Sequence, residues 1–282
     1  MNDLILTVRA RRLLKEVKRL RNEAGLKVLR AAKQLGIGES TLWRMENGHS
    51  RLTMEVLVAM LDLYGVPTPE REAMERLGID SVRRGWWAPY ADVFSGSYVA
   101  LETDASQIRV NAFVIPGFFQ TEEYARAAIA NTGLELEAAE VERRKAARLA
   151  RQQALFEDRD KPPAIHLLLD ESVVHRQVGG PAAMRGQLER IAEVAARQTV
   201  TIQITPFTAG IHAGIDGEFV IIDFPDPQDD PFVYEEGLGG DLYLEDSKSL
   251  ARYSLAFDRV KDVALTPERS VDLINRLAKE QE

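Results

Sequence analysis

Cysteine is absent from the 282-residue chain, and its absence excludes several kinds of site. Without thiols there is no disulfide, no zinc site with thiolate ligands, no iron–sulfur cluster and no cysteine nucleophile. No apolar run approaches the roughly 18 to 20 residues of a membrane-spanning helix. We therefore expect a cytoplasmic protein with no membrane segment.

The net charge of −8 conceals two regions of opposite sign. Residues 1–67 carry 12 lysines and arginines against 7 aspartates and glutamates, a net charge of +5, which leaves −13 for residues 68–282. A basic N-terminal region followed by an acidic remainder indicates that only the N-terminal region binds a polyanion. Chance clustering of solvated charges would give the same balance.

The hydrophobic pattern divides the chain into a head, a connector and a body. The head, residues 1–78, shows only helical periodicity. The connector, residues 79–105, is aromatic, and we expect Trp86 and Trp87 to pack against the body or a partner subunit. The body, residues 106–282, mixes strand-length apolar runs with helical stretches. The predicted fold class is multi-domain α+β, with an all-α five-helix head followed by a larger mixed α/β domain.

Local signals place the elements within these regions. In the head, Gly36 is expected at a turn, Thr53 caps the fourth helix, and the fifth helix ends before Gly78. In the body, alternation from Ile108 to Val114 predicts a first strand. Further strands are predicted at 164–169, 200–205, 218–224 and 232–235, and helices at 121–131, 137–157, 181–197, 246–262 and 267–280. The strands at 164–169 and 200–205 should be parallel, and the last two antiparallel.

Residues 28–47 fit the helix-turn-helix template. Counted from Val28 as position 1, Ala32 falls at position 5, where the two helices touch and a small residue is needed. Gly36 falls at the turn, position 9, where the backbone needs conformational freedom. Leu42 takes an apolar position of the second helix. This agreement favours DNA binding over a helical hairpin that has these residues by chance.

Residues 10–78 resemble the five-helix DNA-binding domain of Cro and the phage repressors, the XRE type. By position, the resemblance implies DNA contacts from Glu39, Ser40, Trp43, Arg44 and Asn47, and we add Lys33 as a phosphate contact. Arg44 suits the two acceptors of guanine, and Ser40 suits either a base or a phosphate. Glu39 could accept from cytosine or simply favour the helix dipole. Trp43 and Asn47 should face the DNA backbone, unless Trp43 belongs to the core.

Two further positions follow from the same resemblance. Many domains of this type have glutamine at position 1, where it touches DNA, whereas Val28 cannot donate a hydrogen bond from its side chain. An arginine late in the first helix commonly pairs with a glutamate at position 19. Arg21 and Glu46 occupy these places, and we interpret them as a structural ion pair.

The resemblance extends over nearly the whole chain. The segments RGWW (84–87), VIPGFFQTEEYA (114–125), VGGP (178–181), TPF (205–207) and YEEGLGGDLYL (234–244) resemble a family of actinobacterial regulators. In that family an XRE domain precedes an antitoxin-like C-terminal domain. The resemblance implies a transcription regulator with double-stranded DNA and a small protein encoded nearby as partners. Because one helix-turn-helix reads few base pairs, we also expect a homodimer.

The body offers little for catalysis. Its histidines are His166, His175 and His212. His166 lies in an apolar run and fits a hydrogen-bonded core residue, whereas His175 follows Asp170 and Glu171 at a spacing that suits a metal pair. No second ligand set and no HExxH motif accompanies them. We therefore expect no enzyme, no metal and no cofactor.

Two functions remain open. One is a sequence-specific DNA-binding regulator whose body dimerises and senses a protein or a ligand. The alternative is an antitoxin-like interaction protein that neutralises a small partner and regulates its own synthesis through DNA. The glycine-containing loops 114–122 and 237–241 are the expected partner or ligand site, lined by Phe118, Phe119 and Tyr243. All three aromatic residues could instead be ordinary core.

Overall fold

The computed structural model describes residues 6–82, 85–94, 97–133 and 136–281. The chain forms two compact units, Met1–Asp104 and Ala105–Glu282. The first contains the helical head and the second a mixed α/β domain, so the predicted fold class is confirmed.

The head is built from short helices around one apolar core. Within residues 6–82 its helices are α1 Val8–Glu23, α2 Val28–Leu35, α3 Glu39–Glu46, α4 Met54–Tyr64 and α5 Thr68–Ser81. Thr53 caps α4 as predicted, because its side chain accepts from the Val56 N–H. Gly36 ends α2 with a φ of 69°, a left-handed conformation that favours glycine. Ala32 and Leu42 are fully buried where α2 and α3 join the core.

The predicted end of the fifth helix is wrong, because α5 continues through Gly78 to Ser81. Gly78 is buried inside the helix and faces α4. A Cβ atom there would lie 2.6 Å from Leu57 and 2.9 Å from Met54. This glycine therefore permits close helix packing and does not terminate the helix.

A buried ion pair joins α1 to α3. The Arg21 guanidinium donates from Nε to Glu46 Oε1 at 2.7 Å and from Nη2 to Oε2 at 3.1 Å. The remaining Nη1 donates to the Leu26 carbonyl at 2.8 Å and to Asn22 Oδ1 at 2.9 Å. Arg21 and Glu46 are only 8% and 3% exposed. The pair expected from the sequence is present and is part of the head's interior.

The described residues of the connector pack within the first unit. They include a 3₁₀ turn at Ala88–Tyr90 and helix α6, Tyr98–Thr103. Trp86 Nε1 donates to Thr103 Oγ1 at 2.9 Å, and the Trp86 ring meets the edge of Trp87 at a centroid distance of 6.2 Å. Because Trp87 is buried within its own chain, it is not available as an anchor for a partner subunit.

The body alternates helices with the strands of one mixed sheet. Its elements are β1 Gln107–Ala112, α7 Glu122–Thr132, α8 Ala138–Phe156, β2 Ala164–Asp170, α9 Glu171–His175, α10 Pro181–Ala195, β3 Val200–Thr205, β4 Phe219–Asp223, β5 Phe232–Gly237, β6 Gly240–Leu244, α11 Ser247–Val263 and α12 Pro267–Lys279. Over the described residues the strand order is β3-β2-β1-β4-β5-β6. As predicted, β2 and β3 are parallel and β4 and β5 antiparallel.

Two strand predictions need correction. β1 ends at Ala112, and Val114 is exposed, because the Phe113 N–H donates to the Glu218 carboxylate and not to a neighbouring strand. β6 was not predicted at all. It follows β5 through a two-residue turn, with Gly237 paired to Gly240, so the glycine-rich segment is a hairpin.

The two edges of the sheet differ. The edge of β3 is closed by the chain around α12, since the Leu265 N–H donates to the Ile204 carbonyl at 2.8 Å and the Ile204 N–H to Ser270 Oγ at 2.9 Å. At the other end, no described strand pairs with the outer side of β6. Inside the sheet, His166 Nε2 lies 2.8 Å from Gln203 Oε1, the hydrogen-bonded arrangement expected for this residue.

Replacing Arg21 by methionine in the full chain should destabilise the head by about 3–5 kcal/mol, because Glu46 would remain buried without its partner. Urea denaturation followed by circular dichroism measures this loss. The double change Arg21→Met with Glu46→Leu should recover much of it, since both charges are then removed. Arg19→Met is the matched control, because Arg19 is more exposed and its ion pairs should contribute less than about 1 kcal/mol. Equal effects of Arg19→Met and Arg21→Met would contradict a structural role for the buried pair.

Candidate nucleic-acid interface

Helix α3 presents one face to the core and the other to solvent. Leu42 and Glu46 are buried, whereas Glu39, Ser40 and Arg44 are exposed. This division follows from the helical period, which sets residues 42 and 46 on one side and residues 40 and 44 on another. The exposed face therefore carries the hydroxyl and the guanidinium that the sequence assigned to base reading.

Trp43 and Asn47 occupy different environments. Trp43 is 50% exposed, so it does not belong to the core, and its ring stacks on His49 at a centroid distance of 5.3 Å. Asn47 is half-buried, and its side chain donates to the Trp43 carbonyl at 2.7 Å while accepting from Lys18 Nζ at 2.9 Å. Asn47 therefore closes the C-terminal end of α3, with its amide engaged inside the head.

Two sets of cations in the head differ in their carboxylate partners. Arg19 and Arg71 are neutralised by carboxylates, Arg19 by Glu16, Glu23 and Glu70 at 2.6 to 2.8 Å. The second group lies on or next to α2 and α3, is exposed, and forms no ion pair within 4 Å in the part of the chain that the structure describes. Its members are Lys27, Arg30, Lys33, Arg44 and Arg51. Five exposed cations without an ion pair among the described residues thus lie around the helix-turn-helix.

Sequence reasoning selected only Lys33 and Arg44 from this group. It missed Lys27, Arg30 and Arg51, because a list of charges does not show which of them a carboxylate will neutralise. Only Arg30 carried a signal in the sequence, since it has no acid three or four residues away, whereas Lys27 has Glu23 and Arg51 has Glu55 at that spacing.

The starts of α2 and α3 add further donors. Neither N-cap residue, Lys27 for α2 and Gly38 for α3, makes a side-chain cap hydrogen bond in the described structure. The first backbone N–H groups of each helix therefore keep their capacity to donate outward. Such helix starts attract phosphate groups through these donors and through the helix dipole.

Two of the three aromatic residues assigned to a site in the body belong to its core. Phe118 and Phe119 are 2% and 0% exposed and contact each other at a centroid distance of 4.7 Å. Phe119 also stacks on Phe156 of α8 at 5.7 Å. Tyr243 lies on β6 against Phe232, at 5.8 Å. The two phenylalanines are core, because a 3₁₀ turn at Gly117–Phe119 directs them inward.

The described residues offer no prepared metal centre. No group of three or more histidine, aspartate or glutamate side chains among them is arranged to hold an ion. His175 lies 3.4 Å from Glu171 on the same short helix, α9, and its ring stacks on Phe207 at 5.9 Å. No helix in the described ranges has the length and apolar character needed to cross a membrane.

Comparison with known proteins assigns both parts of the chain. Residues 12–74 match a helix-turn-helix domain, which covers α2 and α3 together with the α1, α4 and α5 residues around them. Residues 95–276 match a family described as a domain of unknown function, DUF5753. No curated protein and no solved structure is significantly similar to the chain. Since the second match spans more than half of its length, the chain belongs to the DUF5753 family, here with a helix-turn-helix domain before it.

Proposed function

We propose that the protein is a sequence-specific transcription regulator that binds double-stranded DNA as a homodimer and whose body senses a ligand or a protein partner. The match to a helix-turn-helix domain supports a DNA-binding regulator. The observation that carries the proposal is the group of unpaired cations around α2 and α3, next to an exposed face that bears Ser40 and Arg44.

The residues divide into two roles. Lys27, Arg30, Lys33 and Arg51, with the N-terminal amides of α2 and α3, suit phosphate contacts, which fix position and orientation but read no sequence. Arg44 suits a bidentate contact to guanine in the major groove. Ser40 and Glu39 are the other exposed residues of α3 that are assigned to reading bases.

The charge distribution favours the head as the DNA-binding surface. Residues 68–282 carry a net charge of −13, which repels a polyanion. The structure adds that cations on α7 and α8 are largely paired: Arg126 with Glu142 at 2.6 Å, and Lys145 with the same carboxylate at 2.7 Å. The body is therefore free for other partners.

The open edge of the sheet supplies a surface for dimerisation. Two copies of β6 could pair antiparallel about a two-fold axis at Leu242, which is 47% exposed. In that register Asp241 of one copy faces Tyr243 of the other, and Glu245 faces Gly239. No acid then lies directly opposite another acid, although the hairpin is acidic. A dimer of this kind would join the two heads on the two half-sites of an operator.

The role of Arg44 is tested against that of Lys33 on an operator selected from a random duplex library. Arg44→Ala should weaken binding to the operator by about 1–3 kcal/mol while leaving random DNA nearly unaffected. Lys33→Ala should weaken both DNAs alike and reduce the slope of log K against log salt by about 1. Fluorescence anisotropy at several salt concentrations measures these effects.

Arg71→Ala is the control, since this guanidinium lies on α5 and bonds to Glu75 at 2.9 Å. It should bind both DNAs as the unchanged chain does. An equal loss on operator and random DNA would make Arg44 a phosphate contact, and failure to enrich any sequence would overturn sequence-specific binding.

Dimerisation through β6 is tested by sedimentation velocity of the full chain at micromolar concentration. Leu242→Asp should weaken the free energy of dimerisation by about 1 kcal/mol or more and so raise the monomer fraction. The reason is that it places two acids opposite each other at the centre of the strand pair. Leu255→Asp is the matched control, an exposed leucine on α11 that should leave the dimer intact. A monomer in the unchanged chain, with and without DNA, would contradict the proposed dimer. A dimer insensitive to Leu242→Asp would place the interface elsewhere.

A further inference from the structure

An aromatic pair lies at the C-terminal end of α3. The rings of Trp43 and His49 stack at a centroid distance of 5.3 Å, with an angle of 18° between their planes. Both residues are exposed to solvent. Aromatic rings that combine an apolar face with a polar edge are enriched at binding interfaces, so an exposed pair beside the base-reading residues calls for an explanation.

The turn after α3 fixes the position of His49. Gly48 has a φ of 74°, a left-handed conformation, and its N–H donates to the Met45 carbonyl at 3.2 Å. The His49 N–H donates to the Arg44 carbonyl at 2.8 Å. These bonds form a Schellman motif, in which the residue after the left-handed glycine commonly packs back on the last turns of the helix. The backbone therefore brings the imidazole onto Trp43 before any DNA is bound.

The polar atoms of the imidazole are open. Each of the other three histidines has a ring nitrogen within 3.4 Å of a polar atom, namely His166, His175 and His212. Among the described residues, neither ring nitrogen of His49 has a hydrogen-bond partner, and no carboxylate lies within 4 Å of either. A leucine would make the same apolar contact with Trp43, so the Schellman motif explains the stacking but not the presence of two open nitrogens.

The charges near this end of α3 suit a phosphate. Arg44 precedes the turn and Arg51 follows it, and both are exposed. From α1, Lys18 donates to Asn47 at 2.9 Å. The acid nearest in the sequence, Glu46, is buried and engaged in its own ion pair. A protonated imidazole here would extend this row of cations, and a neighbouring anion favours the charged form of such a group.

We propose that His49 is a further DNA contact, which Trp43 positions to donate to a phosphate of the DNA backbone. The inference rests on the proposed function. Histidine changes its charge between about pH 5 and 8. Because the phosphate favours the imidazolium, the complex takes up a proton as it forms, and affinity for DNA rises as the pH falls. Phosphates carry no sequence information, so the effect is the same on operator and random DNA.

The test measures DNA binding of the full chain at about pH 6 and about pH 8, on either side of the middle of this range. The selected operator and a random duplex are both used, at several salt concentrations. His49→Gln should lower affinity about two- to fivefold at the lower pH, as expected for an exposed ion pair, and less at the higher pH. At the lower pH it should also reduce the slope of log K against log salt by about 1.

Two further changes separate the charge of His49 from its place in the turn. His49→Lys carries a permanent charge and should bind tightly at both pH values. Trp43→Phe retains a ring for the imidazole to stack on and should keep the pH dependence, whereas Trp43→Ala should lose it. His175→Gln is the matched control, a histidine on α9 that should leave the pH profile of DNA binding unchanged.

The pH profile of the unchanged chain, found again in His49→Gln, would overturn the contact. Equal losses at both pH values in His49→Gln and His49→Lys would make the residue a structural part of the turn, which also overturns it. An unchanged chain that binds neither DNA at either pH would refute the proposed regulator together with this contact. If the operator is bound but His49→Gln matches the unchanged chain, only the contact is refuted.

Discussion

The buried pair of Arg21 and Glu46 is the interaction on which the geometry of the head depends. It joins the end of α1 to the end of α3 through two charged hydrogen bonds, and a third bond reaches the loop before α2 at Leu26. A pair of this kind contributes modest net stability, because both charges lose their hydration. It does, however, penalise any arrangement that separates the two ends, and it therefore fixes the orientation in which α3 shows Arg44 to solvent.

Much of the fold was predictable because local signals and burial agreed. Thr53, Gly36 and the apolar positions of α2 and α3 each act within a few residues, so their roles follow from short-range chemistry. Gly78 shows where this reasoning stops. A glycine at this position predicts the end of a helix. Its actual role is to let α4 pack closely against α5, and the distance between two helices cannot be read from a local sequence pattern.

The candidate sites were less predictable, for a related reason. The glycine in the loop 114–122 suggested an accessible site, but Phe118 and Phe119 are core, since a turn directs both rings inward. Phe156, which stacks on Phe119, comes from α8, more than twenty positions later in the sequence. Likewise, the cations around α2 became distinguishable from Arg19 only when the structure showed which of them carboxylates neutralise.

The shortness of α3 has a consequence for the DNA that such a protein can select. Eight residues of α-helix span only ~12 Å, which is little more than three steps of ~3.4 Å along a duplex strand. A recognition helix of this length contacts so few base pairs that matching half-sites occur throughout any genome. In the proposed dimer, selectivity would then come from the separation and relative orientation of two half-sites, so that the rigidity of the link between the heads would matter as much as any base contact.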